Sequence, residues 1–546
     1  MTEITAEKLR EMFQQGLKVM DDWRVIGAIE IVGPSHSIQY PESVKNSVLD
    51  CLRIIGSPID LSFNNCIIKE LDVSADYGRN ISLINCSIKH LRISTENGLF
   101  QIGKLEITGA QTKIDKMEIT QGSIQSLSIT EPEGFGELNI LNTSIGTLNL
   151  SVMRSGPNIN CKNPTITAAS VNNCTSLTLN VDNGNIHQLE VSKCSACTFN
   201  LTDTSGAAFR FFENRVQSID FKSSEIKKVA LESGTFDTLW FHNKCDISLH
   251  TEIGESKTEI REIRFENCEL PTDGMLSFVS ISIKILYVYN LRNRGRIYLQ
   301  DSTISEYLII QNSDVGKFDF DNIDLSDKTQ FNIATSAINE ARFNSFSWPN
   351  GYKFYETWEG NKNEYQKRFK DETSFLLAIR EGYRQLKSNH LKIDNKIIAL
   401  EFQKNEMRMQ YEIVKKNWNN SWADRANFLI VGTHKWVSDF GQNIWKPFLL
   451  LLIVHLVLFV GLLYSNPDLN LRPFGNITLD ATCDGVSKYF QTLLLTHGFS
   501  IAPYSDNSDE ASTSWVSIGG VWDTAIRIFS AYFIFYFISA SRKYHQ

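Results

Sequence analysis

From about residue 52 to residue 346 one spacing of apolar positions recurs: apolar, two variable, apolar, one variable, apolar. It runs Ile68, Leu71, Val73, then Ile88, Leu91, Ile93, then Ile114, Met117, Ile119. Later copies start ten residues apart, at Val216, Ile226 and Phe236. Starts near ten and twenty are too close for helical repeats, which need thirty or more residues. The alternating pair that closes each copy reads as a short strand with its apolar face inward. Asn, Ser, Gly and Asp between the pairs supply tight corners. A chain that turns every five or so residues and closes a coil about every twenty predicts a β-helix, in which each coil buries its inner residues only by stacking on its neighbours. Asn and Cys at matching positions should then form ladders. The spacing is poorly periodic over 155–185 and 250–300, and the number of faces per coil stays open.

Outside this array the period changes. Ala6 to Met20 has helical spacing and predicts an amphipathic helix, so residues 1–50 are expected to form a helical cap and 51–350 the solenoid. Residues 351–446 read as a helical neck, with apolar residues at Phe375, Ala378, Ile379, Tyr383 and Leu386 and then at Ile397, Leu400 and Met407. Ser388-Asn389-His390 is the expected break between two neck helices. Residues 447–546 contain two apolar runs, 448–464 and 515–540. The first has one ionisable residue, His455, and approaches the ~20 residues needed to span a bilayer. His455 should face another helix or a polar cavity rather than lipid. Asp523 and Arg527, four apart, can pair at an interface near the start of the second run.

Composition sharpens this division. The chain of 546 residues is 42% hydrophobic with a net charge of −8, which argues against a protein that mainly binds nucleic acid. The neck, counted over 361–446, holds sixteen Lys or Arg against ten Asp or Glu, as suits a segment beside an anionic leaflet. The loop 465–514 holds two basic and six acidic residues, while Lys435 and Lys446 precede the first run and Arg542 and Lys543 follow the second. The positive-inside rule therefore predicts an inner-membrane protein with both termini cytoplasmic. The N-terminus lacks the pattern of a secretory signal, which agrees. Ten cysteines in a cytosolic setting are expected to stay reduced, and the Cys194–Cys197 pair reads as buried repeat positions rather than a zinc site. Scattered carboxylates form no enzymatic motif, and no pattern calls for a cofactor or metal.

The array resembles a degenerate pentapeptide-repeat solenoid, which implies a right-handed β-helix; a three-faced parallel β-helix remains the alternative. Between the apolar runs, residues 487–503 read as a short amphipathic helix entering a Gly-containing turn, as a re-entrant pore loop would. Within it Thr496-His497-Gly498-Phe499-Ser500 resembles the potassium-channel filter Thr-Val-Gly-Tyr-Gly, departing at His497 and Ser500. The resemblance implies that Tyr489, Phe490, Thr492 and Leu495 lie on the pore helix. Tyr383-Arg384-Gln385-Leu386-Lys387, Asp394, Ala399, Phe402, Glu406 and Met407, followed by Ser438-Asp439-Phe440-Gly441 and Pro447, are in turn similar to bacterial ion-channel proteins with pentapeptide repeats. That family implies a homotetramer in the lipid bilayer that passes a cation, with Ser438 to Gly441 and Pro447 coupling neck to pore. A cytosolic ligand or protein on the solenoid would gate it, and protonation of a His497 ring would depress flux. The alternative is a membrane-anchored scaffold or sensor, including a membrane-depolarising effector of bacterial defence.

Overall fold

A computed structural model describes residues 2–349 with short breaks, the longest at 33–42, together with 371–440, 443–465 and 527–538. The chain divides into two compact units, one of residues 1–357 and 388–393, the other of 358–387 and 394–546.

The first unit is a β-solenoid of about 13 turns. Its strands pair in parallel, each with the strand one coil away. One inner column shows the principle. Leu71 stacks in register on Leu91, then Met117, Leu138, Ile159 and Leu179, and continues to Leu308 and Phe331. The two variable residues between the first and second apolar positions are explained by a corner: in Ile67–Ser74 the pairing passes from Ile68 to Glu70 and skips Lys69. Over 179–231 buried residues recur two in every five, a rhythm compatible with a pentapeptide-repeat-like coil.

The asparagines sit where the backbone needs them. Asn65, Asn85, Asn173 and Asn267 all have φ between 52° and 54°, and each is followed by a buried cysteine. Asn tolerates this left-handed region better than most residues because its short amide bonds locally. The side chains also join coil to coil. Asn163 Nδ2 donates to Asn142 Oδ1 at 2.8 Å, and Asn183 Nδ2 to Asn163 Oδ1 at 2.7 Å. On another face Asn160, Asn180 and Asn200 continue a second ladder. Seven of the eight described cysteines are buried as small apolar residues, and Cys51 is half-buried. The eight described ones are free thiols, and Cys194 and Cys197 are both buried. Burial pushes the Cys161 thiol up to about 12.

Several expectations need correction. The described strands of residues 1–50 belong to the solenoid sheet rather than to a separate helical cap. Thr2–Thr5, Val19–Asp21 and Trp23–Val32 are strands of the solenoid sheet, with Thr2–Thr5 paired to Trp23–Val32 and Val19–Asp21 to Ser43–Lys45. Of the expected helix from Ala6 to Met20, Lys8, Glu11 and Met12 are helical, whereas Val19 and Met20 are extended. Residues 155–185 are also regular coil. There Ala169 and Cys161 take core positions that Leu or Ile fill elsewhere, so the pattern persists in space while its apolar signal weakens. In the second weak stretch, Ile260, Ile263 and Phe265 stack in register on Ile283, Leu286 and Val288.

The second unit is helical. Helix α1 spans Glu372–Lys392, α2 Lys396–Lys416, α3 Trp422–Ser438, α4 Trp445–Ser465 and α5 residues 527–538. The break between α1 and α2 falls later than expected. Ser388-Asn389-His390 lies inside α1, and the chain turns at Asp394, with φ 59°, before Asn395 caps α2 by accepting from Ile398 N–H. The last turn of α1 belongs to the solenoid unit. Asn389 Nδ2 donates to the Ile338 and Ala341 carbonyls, and Lys392 Nζ donates to Asn339 O. His390 is buried beside Phe343 and Trp348, and burial lowers its pKa to about 4.

The expected spans are described in part. The α4 backbone is helical for 21 residues, with side chains described over 445–458 and at Val460. The second span, expected at 515–540, is helical over 527–538, and residues 515–526 lie outside the described residues. Among the described residues no helix is long and apolar enough to cross a membrane.

Candidate functional site

The described part of the expected site is the segment that joins α3 to α4. Helix α3 starts on Ser421, whose Oγ accepts from Asp424 N–H at 3.1 Å. It ends at Ser438, whose buried Oγ donates to the His434 carbonyl at 3.1 Å. The next two residues, Asp439 and Phe440, both have positive φ, 47° and 60°. Asp is tolerated there, but a bulky Phe is an outlier that persists only where its surroundings hold it.

Several contacts hold this turn. The Phe440 ring is buried and stacks on His434 at 5.9 Å. The Asp439 amide donates to Lys435 O at 3.0 Å, closing the last turn of α3. The Asp439 carboxylate meets Lys404 Nζ of α2 at 2.9 Å. Partial burial works to raise the Asp439 pKa, but Lys404, then Arg408 and Lys446, outweigh it and leave the carboxyl below its usual value. After the turn, Asn443 Oδ1 accepts from Lys446 N–H at 3.0 Å at the start of α4. Pro447 is the third residue of α4, where its missing N–H would have no helical partner.

Lys404 is in turn placed by the α1–α2 pair. Lys387 of α1 bridges to Glu406 of α2, Lys416 bridges to Glu372, and Arg380 bonds Gln410. Beyond the turn, Val437 packs with Leu451 of α4 and Phe533 of α5. His434 meets Tyr536 edge-on at 5.3 Å, and Phe448 lies 5.8 Å from Phe537. His455 of α4 is buried, as expected of an ionisable group in an apolar run.

Of the expected coupling residues, the structure brings together Ser438, Asp439 and Phe440 and places Pro447 just after them; Gly441 lies outside the described residues. The filter residues Thr496, His497, Gly498, Phe499 and Ser500 and the pore-helix residues Tyr489, Phe490, Thr492 and Leu495 also lie outside them. The sequence places Lys404 on a helical stretch and His434 in the basic flank before the first apolar run, but gives neither a role at this turn. Lys404 sits 35 positions before its carboxylate partner, so no local spacing could pair them. His434 could have been found, because four residues before a helix-ending Ser is where its carbonyl would receive that hydroxyl. No protein-family model, curated protein or solved structure matches this chain.

Proposed function

We propose that this chain is an inner-membrane protein in which the β-solenoid is a cytoplasmic sensing or docking apparatus and α4 and α5 belong to a membrane domain. One observation carries this reading. Leu449, Ile453, Leu456, Val457 and Val460 of α4 are exposed, as are Ile528, Phe529, Phe535 and Ile538 of α5. Water is a poor solvent for such a contiguous face, and lipid is a good one. The apolar run 448–464, the basic neck and the acidic loop 465–514 support the same orientation.

Within this reading the finer proposal is a cation channel of four copies. Thr496, His497, Gly498, Phe499 and Ser500 would form the constriction, behind a short helix bearing Tyr489, Phe490, Thr492 and Leu495. That proposal rests on the resemblance of the segment to a channel filter. The turn at Ser438, Asp439 and Phe440 supplies a route for gating: a ligand or protein that favours one arrangement of the α1–α2 pair would act on α4 through Lys404 and Asp439.

The test is reconstitution of the purified chain into planar bilayers, with Gly498→Asp as control. Unitary currents that the substitution abolishes are expected. Silence under all conditions, with monomers in detergent, would sink the channel and favour a membrane-anchored scaffold. Release of the wild-type chain from membranes by alkaline carbonate would sink both.

A further inference from the structure

Helix α3 carries an apolar stripe of its own, separate from those of α4 and α5. Trp422, Ala426, Leu429, Thr433 and Trp436 follow one another at steps of four, three, four and three, which places them on one face of a helix. Trp422 is 81% exposed, Leu429 58% and Trp436 64%, with Ile430 beside them at 65%. The other side of α3 is occupied. Phe428 packs on Tyr411 and Trp418 of the preceding segment, and Lys435 Nζ sits 3.8 Å above the Tyr411 ring. The helix is thus seated on α2 by one face while it presents a tryptophan-ended apolar face outward.

Two occupants suit such a stripe: a second α3, or a lipid surface. A coiled-coil seam needs apolar residues sustained over three or four heptads, and this one covers about two, with Thr433 inside it and tryptophans at both ends. Tryptophan is instead enriched at the boundary between headgroups and acyl chains. Charge points the same way. Residues 415–446 hold five Lys or Arg against two Asp, and one of those, Asp439, is bound to Lys404. The two αL residues after Ser438 end α3 just before the apolar α4, so the stripe leads directly toward the proposed membrane domain.

We infer that α3 is an interfacial helix, lying on an anionic leaflet with Trp422, Leu429 and Trp436 at the headgroup–acyl boundary. This rests on the membrane reading above, and it adds a lipid-binding surface to the neck. The bilayer then holds α3, and through Asp439 and Phe440 the lipid surface itself bears on the turn into α4.

The test places a benzophenone amino acid at single positions of the full chain, reconstituted in vesicles of phosphatidylcholine and phosphatidylglycerol. Leu429 reports the stripe, the exposed Asn427 on the opposite side of α3 is the internal control, and Leu456 reports α4. The expected result is lipid adducts at Leu456 and Leu429, several-fold stronger at Leu429 than at Asn427. Adducts at Leu456 with none at Leu429, or a covalent dimer through Leu429, would overturn the interfacial helix and leave the membrane domain standing. No lipid adduct at either would remove both. Because all three positions are exposed, the substitutions leave packing intact. In the wild-type chain, brominated lipid should quench tryptophan emission, and Trp422→Phe with Trp436→Phe should remove part of that quenching.

Discussion

The two units treat apolar side chains in opposite ways. The solenoid supplies its own cover, since each coil is roofed by the next and the column through Leu71 and Leu91 stays within 3% exposure. Among the described residues, the exposed large apolar side chains of the solenoid strands are Ile67 and Leu141, while eighteen others lie beyond residue 376. A parallel coil can bury both residues of each inward pair, because strands stack without limit along the axis. A few helices with an apolar face on more than one side cannot, and they need a surface that the described helices do not supply. Among the described residues the solenoid strands cover their own apolar side chains, and the helices leave theirs exposed.

The largest effect expected from this contrast is on stability. Phe221 stacks on Phe241 of the next coil at 5.1 Å and lies 6.2 Å from Phe209, which sits on the preceding strand in another ladder. Phe221→Ala should cost about 3–5 kcal/mol, as large-to-small changes in a packed core do. Leu456→Ala, at an exposed site on α4, should cost under about 0.5 kcal/mol in detergent. Denaturation of both variants in detergent checks the pair, followed for the solenoid by the unmasking of buried thiols such as Cys161 to an alkylating reagent and for the helical unit by the loss of helical circular dichroism. Equal losses would mean that α4 is packed within the chain, and the contrast would fail.

How much could be read beforehand follows the same division. The coil is legible because its rule is periodic and local: the corner at Lys69 and the left-handed Asn65 leave fixed marks in the sequence. It fades where small residues such as Ala169 and Cys161 serve as core, since burial there no longer coincides with bulk. At the N-terminus the helical spacing that starts at Ala6 runs on into Val19 and Met20, which are already strand. In the helical unit, Ser438 to Phe440 was marked by its residue types, whereas its fastening to Lys404 depends on how α2 meets α3. The position of the α1 end was misread for a similar reason: Asn389, a residue that commonly caps helices, instead spends its amide on the Ile338 and Ala341 carbonyls.

The next effect concerns that helix end, and it is pH-dependent. His390 is held neutral by burial, with its pKa near 4 against about 6.5 in an unfolded chain. Its folded pKa is depressed, so the stability it contributes is complete above about pH 6.5 and is lost as pH falls toward 4. The loss is bounded by about 3.5 kcal/mol, at 1.36 kcal/mol per unit. Protection factors at residues 388–392, taken relative to the slower intrinsic exchange in acid, should fall between pH 6.5 and about 4.5. His390→Phe should flatten that dependence. A flat profile in the wild type would mean that the last turn of α1 is not held through this ring.

A smaller effect is expected at the turn into α4. Asp439→Asn keeps a residue suited to positive φ but removes the charge that Lys404 meets, a partly exposed pair worth about 1 kcal/mol or less. The wild-type contribution, resting on a lowered carboxyl pKa, is present above the usual carboxylate range and fades as pH falls below about 4. Stability should therefore change little, while any current seen in bilayers should shift its open fraction. An open fraction identical to wild type would remove Asp439 from the gating route and leave it a helix cap.

The smallest effect tests whether the asparagine ladders hold the coils together or only fit their corners. Asn183 has φ 51°, and its amide donates across to Asn163. Asn183→Gly gives up that exposed hydrogen bond, worth about 0.5–1 kcal/mol, but occupies the left-handed corner without a Cβ. The two changes oppose each other, so the midpoint of thermal unfolding should move by no more than a few degrees. Asn183→Val removes the same bond and adds a β-branched side chain at positive φ, so it should be the more destabilising of the two. If Gly and Val were equally damaging, the ladder bond would be what the coil depends on. If Gly is neutral and Val is not, the corner geometry selects Asn, and the apolar columns alone account for the solenoid's independence from any outside surface.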